Sequence, residues 1–355
     1  MPRQALIFVG GYVLAAAAGL AAAHAGIPLA WMLGPLAVAA MLSLGGAKTI
    51  APSGLRRYGQ LVIGCTVGLN VTGPVVVGLL QWLPIMIVTA LIAILASATF
   101  SPVFARLGRL DRKTAFFALM PGGLAEMSNI GVAEGARAEP IALIHAVRVA
   151  IVVLFIPAAV IAQGRLASPE PVPDLPAAMV GLLLLAGSGG AWLAKASGLN
   201  NPWMIGALIA SGMLSASGLM DGRMPHPLFA VGQILLGYNI GSRFTQETIR
   251  KLPRTAVAGA IVVVLLIVVM ALYAWALSTL TTLDMALCII AASPGGSAEM
   301  STTAQVMHLE VSTVTAFHLI RTILVNGFSI YYWRIFSRSG YLDLIGTGCR
   351  RLFGP

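Results

Sequence analysis

Acidic residues are scarce in this sequence: 12 Asp and Glu stand against 22 Lys and Arg, and charged residues of both signs make up only 10% of the 355 positions. Soluble domains carry about 25%, so a soluble globular fold is excluded. Cysteine is equally sparse. Cys65, Cys288 and Cys349 are too few and too scattered for a disulfide framework or a zinc site. The five histidines show no metal-ligand spacing, and no cofactor is expected. Long polar stretches are also missing, the longest being a linker of about a dozen residues at 164–175. The net charge of +10 therefore has no domain in which to bind nucleic acid. Instead the basic residues form short clusters between apolar runs (Lys48/Arg56/Arg57, Arg106/Arg109/Arg112/Lys113, Arg243/Arg250/Lys251/Arg254, and Arg334 onward). That is the charge pattern of membrane loops.

What is present is apolar. Hydrophobic residues make up 58% of the chain and the mean hydropathy is +0.90. Runs long enough to cross a bilayer, roughly 17–25 residues, recur throughout. The sequence predicts an all-α polytopic membrane protein with the lipid bilayer as its surroundings. The apolar segments fall at about 5–23, 29–46, 57–80, 84–104, 114–134 and 139–163. A proline-rich linker at 164–176 has the composition of a semi-rigid spacer. Similar segments follow at about 177–195, 202–219, 227–243, 255–280, 285–307 and 311–336. Residues 1–23 resemble a signal peptide, but 177–195 is a comparable segment opening the second half, so 5–23 reads as a retained first helix.

The two series are copies of one another. Residues 120–129 read Met-Pro-Gly-Gly-Leu-Ala-Glu-Met-Ser-Asn, and 293–302 read Ser-Pro-Gly-Gly-Ser-Ala-Glu-Met-Ser-Thr. Trp31-Met32-Leu33-Gly34 matches Trp203-Met204-Ile205-Gly206, and Gly59-Gln60, Gly64 and Gly68 match Gly232-Gln233, Gly237 and Gly241. His145 and Arg148 match His318 and Arg321. The offset is 172 or 173 throughout, so the chain is two homologous halves, 1–163 and 177–355.

Charge arbitrates between two arrangements of those halves. Six full crossings each make the halves parallel and put 14 Lys and Arg inside against 6 outside. Five crossings each, with the Pro-Gly-Gly segment entering and leaving on one side, invert the second half. Then 18 lie inside, only Arg165 and Arg223 lie outside, and Arg148 and Arg321 are intramembrane. Basic residues favour the cytoplasmic side, so the sequence favours inverted repeats of five crossings plus one re-entrant loop, with both termini cytoplasmic. The parallel twelve-crossing arrangement is the alternative.

The repeated motif holds the candidate site. Pro121, Gly122 and Gly123, and likewise Pro294, Gly295 and Gly296, can end one half-helix so that another begins. Glu126 and Glu299 then sit in a first turn. A carboxylate at membrane depth is costly and a functional candidate, and discontinuous helices bind substrates and coupling ions in many transporters. The bland alternative is that each Glu only caps its helix. Ser128, Asn129, Ser301 and Thr302 suit ligand hydrogen bonds or simple helix–helix adhesion. His145 with Arg148, and His318 with Arg321, share a helix face. Each arginine needs a partner, and Glu126 and Glu299 are the natural ones.

These residues carry a resemblance. Two copies of Pro-Gly-Gly-x-Ala-Glu-Met-Ser, each followed by a His-x-x-Arg helix, resemble the AbrB-duplication family of bacterial membrane proteins along nearly the whole chain. Members are often labelled ammonia monooxygenases, and some regulators of gene expression. Oxygenase chemistry would need a copper or iron site, and no His/carboxylate cluster of suitable spacing is present. The AbrB name also belongs to an unrelated soluble DNA-binding protein, which this composition rules out. The layout is similar to that of cation/proton antiporters and bile-acid symporters. The resulting expectation is a bacterial inner-membrane protein that is not an enzyme: a secondary transporter moving a small carboxylate or zwitterion by alternating access. Coupling to H+ or Na+ and assembly into a homo-oligomer are compatible with it, and no nucleic acid partner is expected. The rival is a membrane sensor that alters gene expression without transport.

The charge argument has a direct check. Cysteines placed beside Arg109 and Arg250 should label from the same, cytoplasmic, side, whereas parallel twelve-crossing halves put them on opposite faces.

Overall fold

The computed structural model describes residues 2–47, 49–163, 172–199, 201–342 and 344–345. Lys48, Arg165 with most of the linker, and Cys349 lie outside the described residues. The described residues form fifteen helices and no strand. These are α1 Pro2–His24, α2 Ala30–Leu44, α3 Ser53–Gly68, α4 Gly73–Gly108, α5 Arg112–Leu119, α6 Leu124–Ala133, α7 Ala138–Ile161 and α8 Ala177–Ala196. There follow α9 Pro202–Ala216, α10 His226–Gly241, α11 Gln246–Lys251, α12 Pro253–Leu280, α13 Met285–Ala292, α14 Ser297–Val306 and α15 Val311–Arg338. Six of them, α1, α4, α7, α8, α12 and α15, are long and apolar enough to cross a membrane, and α2 and α9 are shorter apolar helices.

One boundary differs from expectation. Segments separated at Pro84 were predicted by sequence, but α4 runs unbroken through Pro84 and Pro102. The break comes instead after α3, where the Asn70 amide donates to the Thr66 carbonyl and closes the helix end. Membrane helices tolerate internal proline because neighbours re-satisfy the freed carbonyl. In the second half the corresponding stretch is divided into α11 and α12 at Leu252.

The chain folds into two compact units, and each draws on both sequence halves. The first takes in the chain up to Leu83, then Ile156–Gln246 and Ala298–Thr315; the second takes in Pro84–Phe155, Glu247–Ser297 and the chain from Ala316 onward.

Glycine makes the first unit. A Cβ on Gly64 or Gly68 of α3 would strike the main-chain oxygens of Met204 or Leu208 in α9. The repeat-equivalent Gly237 and Gly241 of α10 lie against the carbonyls of Met32 and Leu36 in α2. Gly34 sits on Ala18 and Gly19 of α1, and Gly206 on Gly190 and Ala191 of α8, again as equivalents. Helices of the first half therefore pack on helices of the second, with backbones close enough for dispersion to hold them where lipid removes the hydrophobic drive. Tyr12 of α1 also stacks on the buried Tyr238 of α10, ring centroids 4.3 Å apart. The end of the linker is tied down as well: Leu175 donates to the Arg223 carbonyl, and Arg223 pairs with Asp174 at 2.5 Å.

The second unit contains a helical hairpin. Asp111 caps α5 by accepting from the Thr114 amide at 2.8 Å, and the equivalent Asp284 caps α13 through the Ala286 amide. Beyond the Pro-Gly-Gly break the chain turns back. Lys113, at the start of α5, donates to the Glu134 carbonyl at the end of α6, and the Arg137 amide donates to Thr114 Oγ1, both at 2.9 Å. The beginning and end of this helix pair thus lie together, with Pro121–Gly123 at the far tip. Helix α15 lies along the pair from base to tip. At the hairpin base, Phe116 packs on Trp333 and Glu134 pairs with Arg334. At the tip, a Cβ on Gly122 would meet Val325 and Asn326. From Asn326 to Arg334 is about 12 Å at 1.5 Å per residue, which is the length of the hairpin from base to tip.

The glycine contacts set a packing test. Gly237→Leu should force α10 off α2 at a cost of about 1–3 kcal/mol or more, read as a lowered melting temperature in detergent. Gly181→Ala, with nothing within 4 Å of the added carbon, should leave it unchanged.

Candidate functional site

A helix that stops among buried side chains leaves its last carbonyls without amide partners. In the first repeat α7 supplies them. Arg148 Nη1 donates to the carbonyls of Met120 at 2.7 Å and Leu119 at 3.4 Å, and Nη2 to that of Gly122 at 3.1 Å. His145 Nε2 lies 3.2 Å from the Phe117 carbonyl. A carbonyl only accepts, so Nε2 carries the hydrogen, leaving Nδ1 free to accept from Arg148 Nη2 at 3.2 Å.

The second repeat builds a similar clamp from α15, but there His318 Nδ1 has no hydrogen-bond partner among the described residues. Arg321 donates to the carbonyls of Ser293, at 2.6 Å, and Gly295, while His318 Nε2 donates to that of Ile290 at 3.0 Å. All four side chains are buried. Where sequence points to Glu126 and Glu299 as partners of these arginines, the guanidiniums bond to main-chain carbonyls. The physical reason is that α5 and α13 each end with several orphan acceptors, and a guanidinium with five donors fits such a group. Its positive charge also complements the helix C-terminus.

The carboxylates face the opposite helix ends. Gly123 is the N-cap of α6 and Glu126 the third residue within it, the spacing of a carboxylate that reaches back over its cap. The Glu126 carboxylate does fold back there: a Cβ on Gly123 would land on Glu126 Oε2. Gly123 has ordinary extended backbone (φ −71°), so glycine serves here as space for the carboxylate. Glu299 occupies the first turn of α14. Both glutamates are half-buried, and among the described residues neither forms an ion pair.

The small polar residues differ between copies. Ser301 shares a 2.7 Å hydrogen bond with Thr315 and so ties α14 to α15, while Thr302 donates to the Ala298 carbonyl of its own helix. Asn129 is exposed, and Ser128 Oγ is buried with no hydrogen-bond partner among the described residues. Pro121 and Pro294 are buried at the two breaks.

Comparison with known proteins fits this duplicated arrangement. A family model described as "Transition state regulatory protein AbrB" matches residues 31–337. The chain belongs to the AbrB family. It is 29% identical over 352 residues to "Uncharacterized protein YhjN" of Bacillus subtilis (strain 168), covering 91% of each chain. It is 26% identical over 325 residues to "Putative regulator AbrB" of Escherichia coli (strain K12), covering 87% of this chain and 90% of that one. The matches to both relatives run through both repeats.

Two features of this AbrB-family chain escaped the sequence reading. Asn326 of α15 has both amide atoms buried and without partners among the described residues, and it faces Gly122 at the hairpin tip. Its repeat equivalent is Val153, so no duplication signal marks it. The other is Arg243, read from sequence as a loop charge. It lies in the turn after α10, donates to Asn239 Oδ1 at 3.2 Å, and is half-buried. Burial and the like charge of Arg56 pull its guanidinium down to about 10, with the Glu299 carboxylate opposing them. It stays cationic at neutral pH.

The clamp makes a prediction that separates carbonyl partners from carboxylate ones. Arg148→Ala should sharply reduce folded yield, because each lost charge-assisted hydrogen bond is worth about 1.5–3 kcal/mol. Adding Glu126→Gln should restore none of it, as read by size-exclusion chromatography of the detergent-solubilised protein.

Proposed function

We propose that this AbrB-family protein is a secondary transporter of the bacterial inner membrane, moving a small carboxylate or zwitterion by alternating access. One observation carries the reading. Each repeat interrupts a helix at Pro-Gly-Gly, secures the loose carbonyls with a buried His–Arg clamp, and begins the next half-helix with a carboxylate that has no ion-pair partner among the described residues. An uninterrupted helix would satisfy the same backbone without any clamp. A broken one exposes helix ends that can bind ions and polar groups. Glu126 and Glu299 take up the coupling H+ or Na+ in this reading, and no step makes or breaks a covalent bond in the solute.

The topology belongs to the same proposal: ten crossings, two re-entrant hairpins, inverted repeats and cytoplasmic termini. The return of α6 to the start of α5 supports the first hairpin, as does the tip lying near the middle of α15. Assembly into a homo-oligomer is compatible with it.

A second reading is favoured by the family description and by the name of the Escherichia coli relative, both of which speak of regulation. A membrane sensor would bind solute at the same loops and pass a signal to a partner without moving the solute.

Flux decides between them. In proteoliposomes, Glu126→Gln and Glu299→Gln should each cut uptake at least tenfold while leaving a folded, inserted protein. Gln keeps an acceptor oxygen, so a role in capping alone would cost only about 1 kcal/mol and leave flux near normal. A wild-type protein that binds solute without uptake would favour the sensor.

A further inference from the structure

The two arginines that sequence offers for an anionic solute are occupied, since Arg148 and Arg321 hold the carbonyls of the broken helices. An anion needs another receiver, and the first unit has one. Helices α3 and α10 cross at equivalent glycines. A Cβ on Gly59 would meet Gly232, Leu235 and Leu236, and one on Gly232 would meet Val62 and Ile63. Residue numbers rise on one helix as they fall on the other, so Arg56, one turn before Gly59, lies towards Asn239 and Arg243.

The neighbourhood is held in place from several sides. Arg243 Nη2 is anchored by Asn239 Oδ1 at 3.2 Å. The Ser242 carbonyl accepts from Ser43 of α2 at 3.2 Å. Next to Arg56, Arg57 lies over the Trp203 ring of α9, 5.9 Å from its centroid. Like charges brought together by packing repel each other, and among the described residues neither Arg56 nor Arg243 forms an ion pair. Asn239 holds one end of the Arg243 fork through a single hydrogen bond. Arg243 as a residue is half-buried, and one hydrogen bond to Asn239 leaves donors of its fork for a planar acceptor.

We propose that Arg243 and Arg56, beside Glu299 of the second broken helix, form the binding subsite for the solute's carboxylate, and that the solute is a small monoanionic carboxylate. The inference rests on the transport reading for its meaning, though binding can be measured without it. Charge selects the class. Two arginines and one glutamate leave a single positive charge, which a monocarboxylate neutralises and a zwitterion does not. Burying an uncompensated charge is costly, so an amino acid is disfavoured. An arginine fork also matches a carboxylate in two parallel hydrogen bonds, which an amide cannot reproduce with a charged acceptor.

The experiment uses the full-length protein. Thermal shift in detergent and counterflow in proteoliposomes are measured with acetate, butyrate and lactate, each beside its uncharged amide, and with glycine and alanine. At least one carboxylate should raise the melting temperature of the wild type, and its amide and the two amino acids should not. Arg243→Gln, which can keep the contact to Asn239, should weaken that carboxylate roughly tenfold to a hundredfold. Arg223→Gln, at the exposed linker contact, should bind as wild type. Should Arg243→Gln fold poorly, Arg56→Gln at the start of α3 carries the same expectation. Unchanged affinity in a folded arginine variant overturns the subsite while transport stands. Arginine-dependent binding without counterflow upholds the subsite and removes the transport reading. A wild type that responds to no carboxylate, or equally to carboxylate and amide, overturns the proposal.

Discussion

A carbonyl inside a bilayer must find a donor within the protein. Water is absent, and an unsatisfied group costs several kcal/mol. This chain breaks a helix at Pro-Gly-Gly twice, and much else in its second unit follows from repairing the damage. Arg148 and Arg321 are buried and aimed at the broken ends. The histidines one turn earlier must donate from Nε2, which fixes their tautomer when neutral. The breaks, in turn, hold the positive ends of two half-helices open to a carboxylate.

Charge is settled locally here, by helix ends. The guanidiniums answer the negative end of the first half-helix, and the glutamate answers the positive end of the next. Arg148 need not draw Glu126 into an ion pair to be stable, and among the described residues Glu126 forms none. A carboxylate so placed is more available to a mobile cation than one already paired. Arg243 is the converse case: a partly buried cation beside another cation, with an amide oxygen as its anchor and a carboxylate nearby.

Close packing of small residues does for the first unit what hydrogen bonds do for the second. The glycines at equivalent places in α3 and α10, and in α2 and α9, let main chains approach to contact distance across the halves. Such contacts require both copies to be present, so neither sequence half is a compact unit of its own. Duplication and intertwining are therefore one structural fact, and a lengthened side chain at one crossing is felt in helices of both halves.

Sequence by itself determined the class, the duplication, and the two breaks at Pro-Gly-Gly, though not the break after α3 or the one at Leu252. These depend on composition, on a fixed offset, and on the inability of Pro-Gly-Gly to continue a helix, all of which are local properties. It also marked His145, Arg148, His318 and Arg321 as a repeated set. It could not assign their partners, because a carboxylate and a cluster of orphan carbonyls both satisfy an arginine and only the carboxylate is visible as a residue type. Position in three dimensions chose the carbonyls. The same limit hid Asn326, whose repeat equivalent is a valine. It also hid the nearness of Arg56, Arg243 and Glu299, which come from three distant stretches of chain. Loop charges and site charges look alike in a sequence; the crossing of α3 over α10 is what turns two of them towards each other.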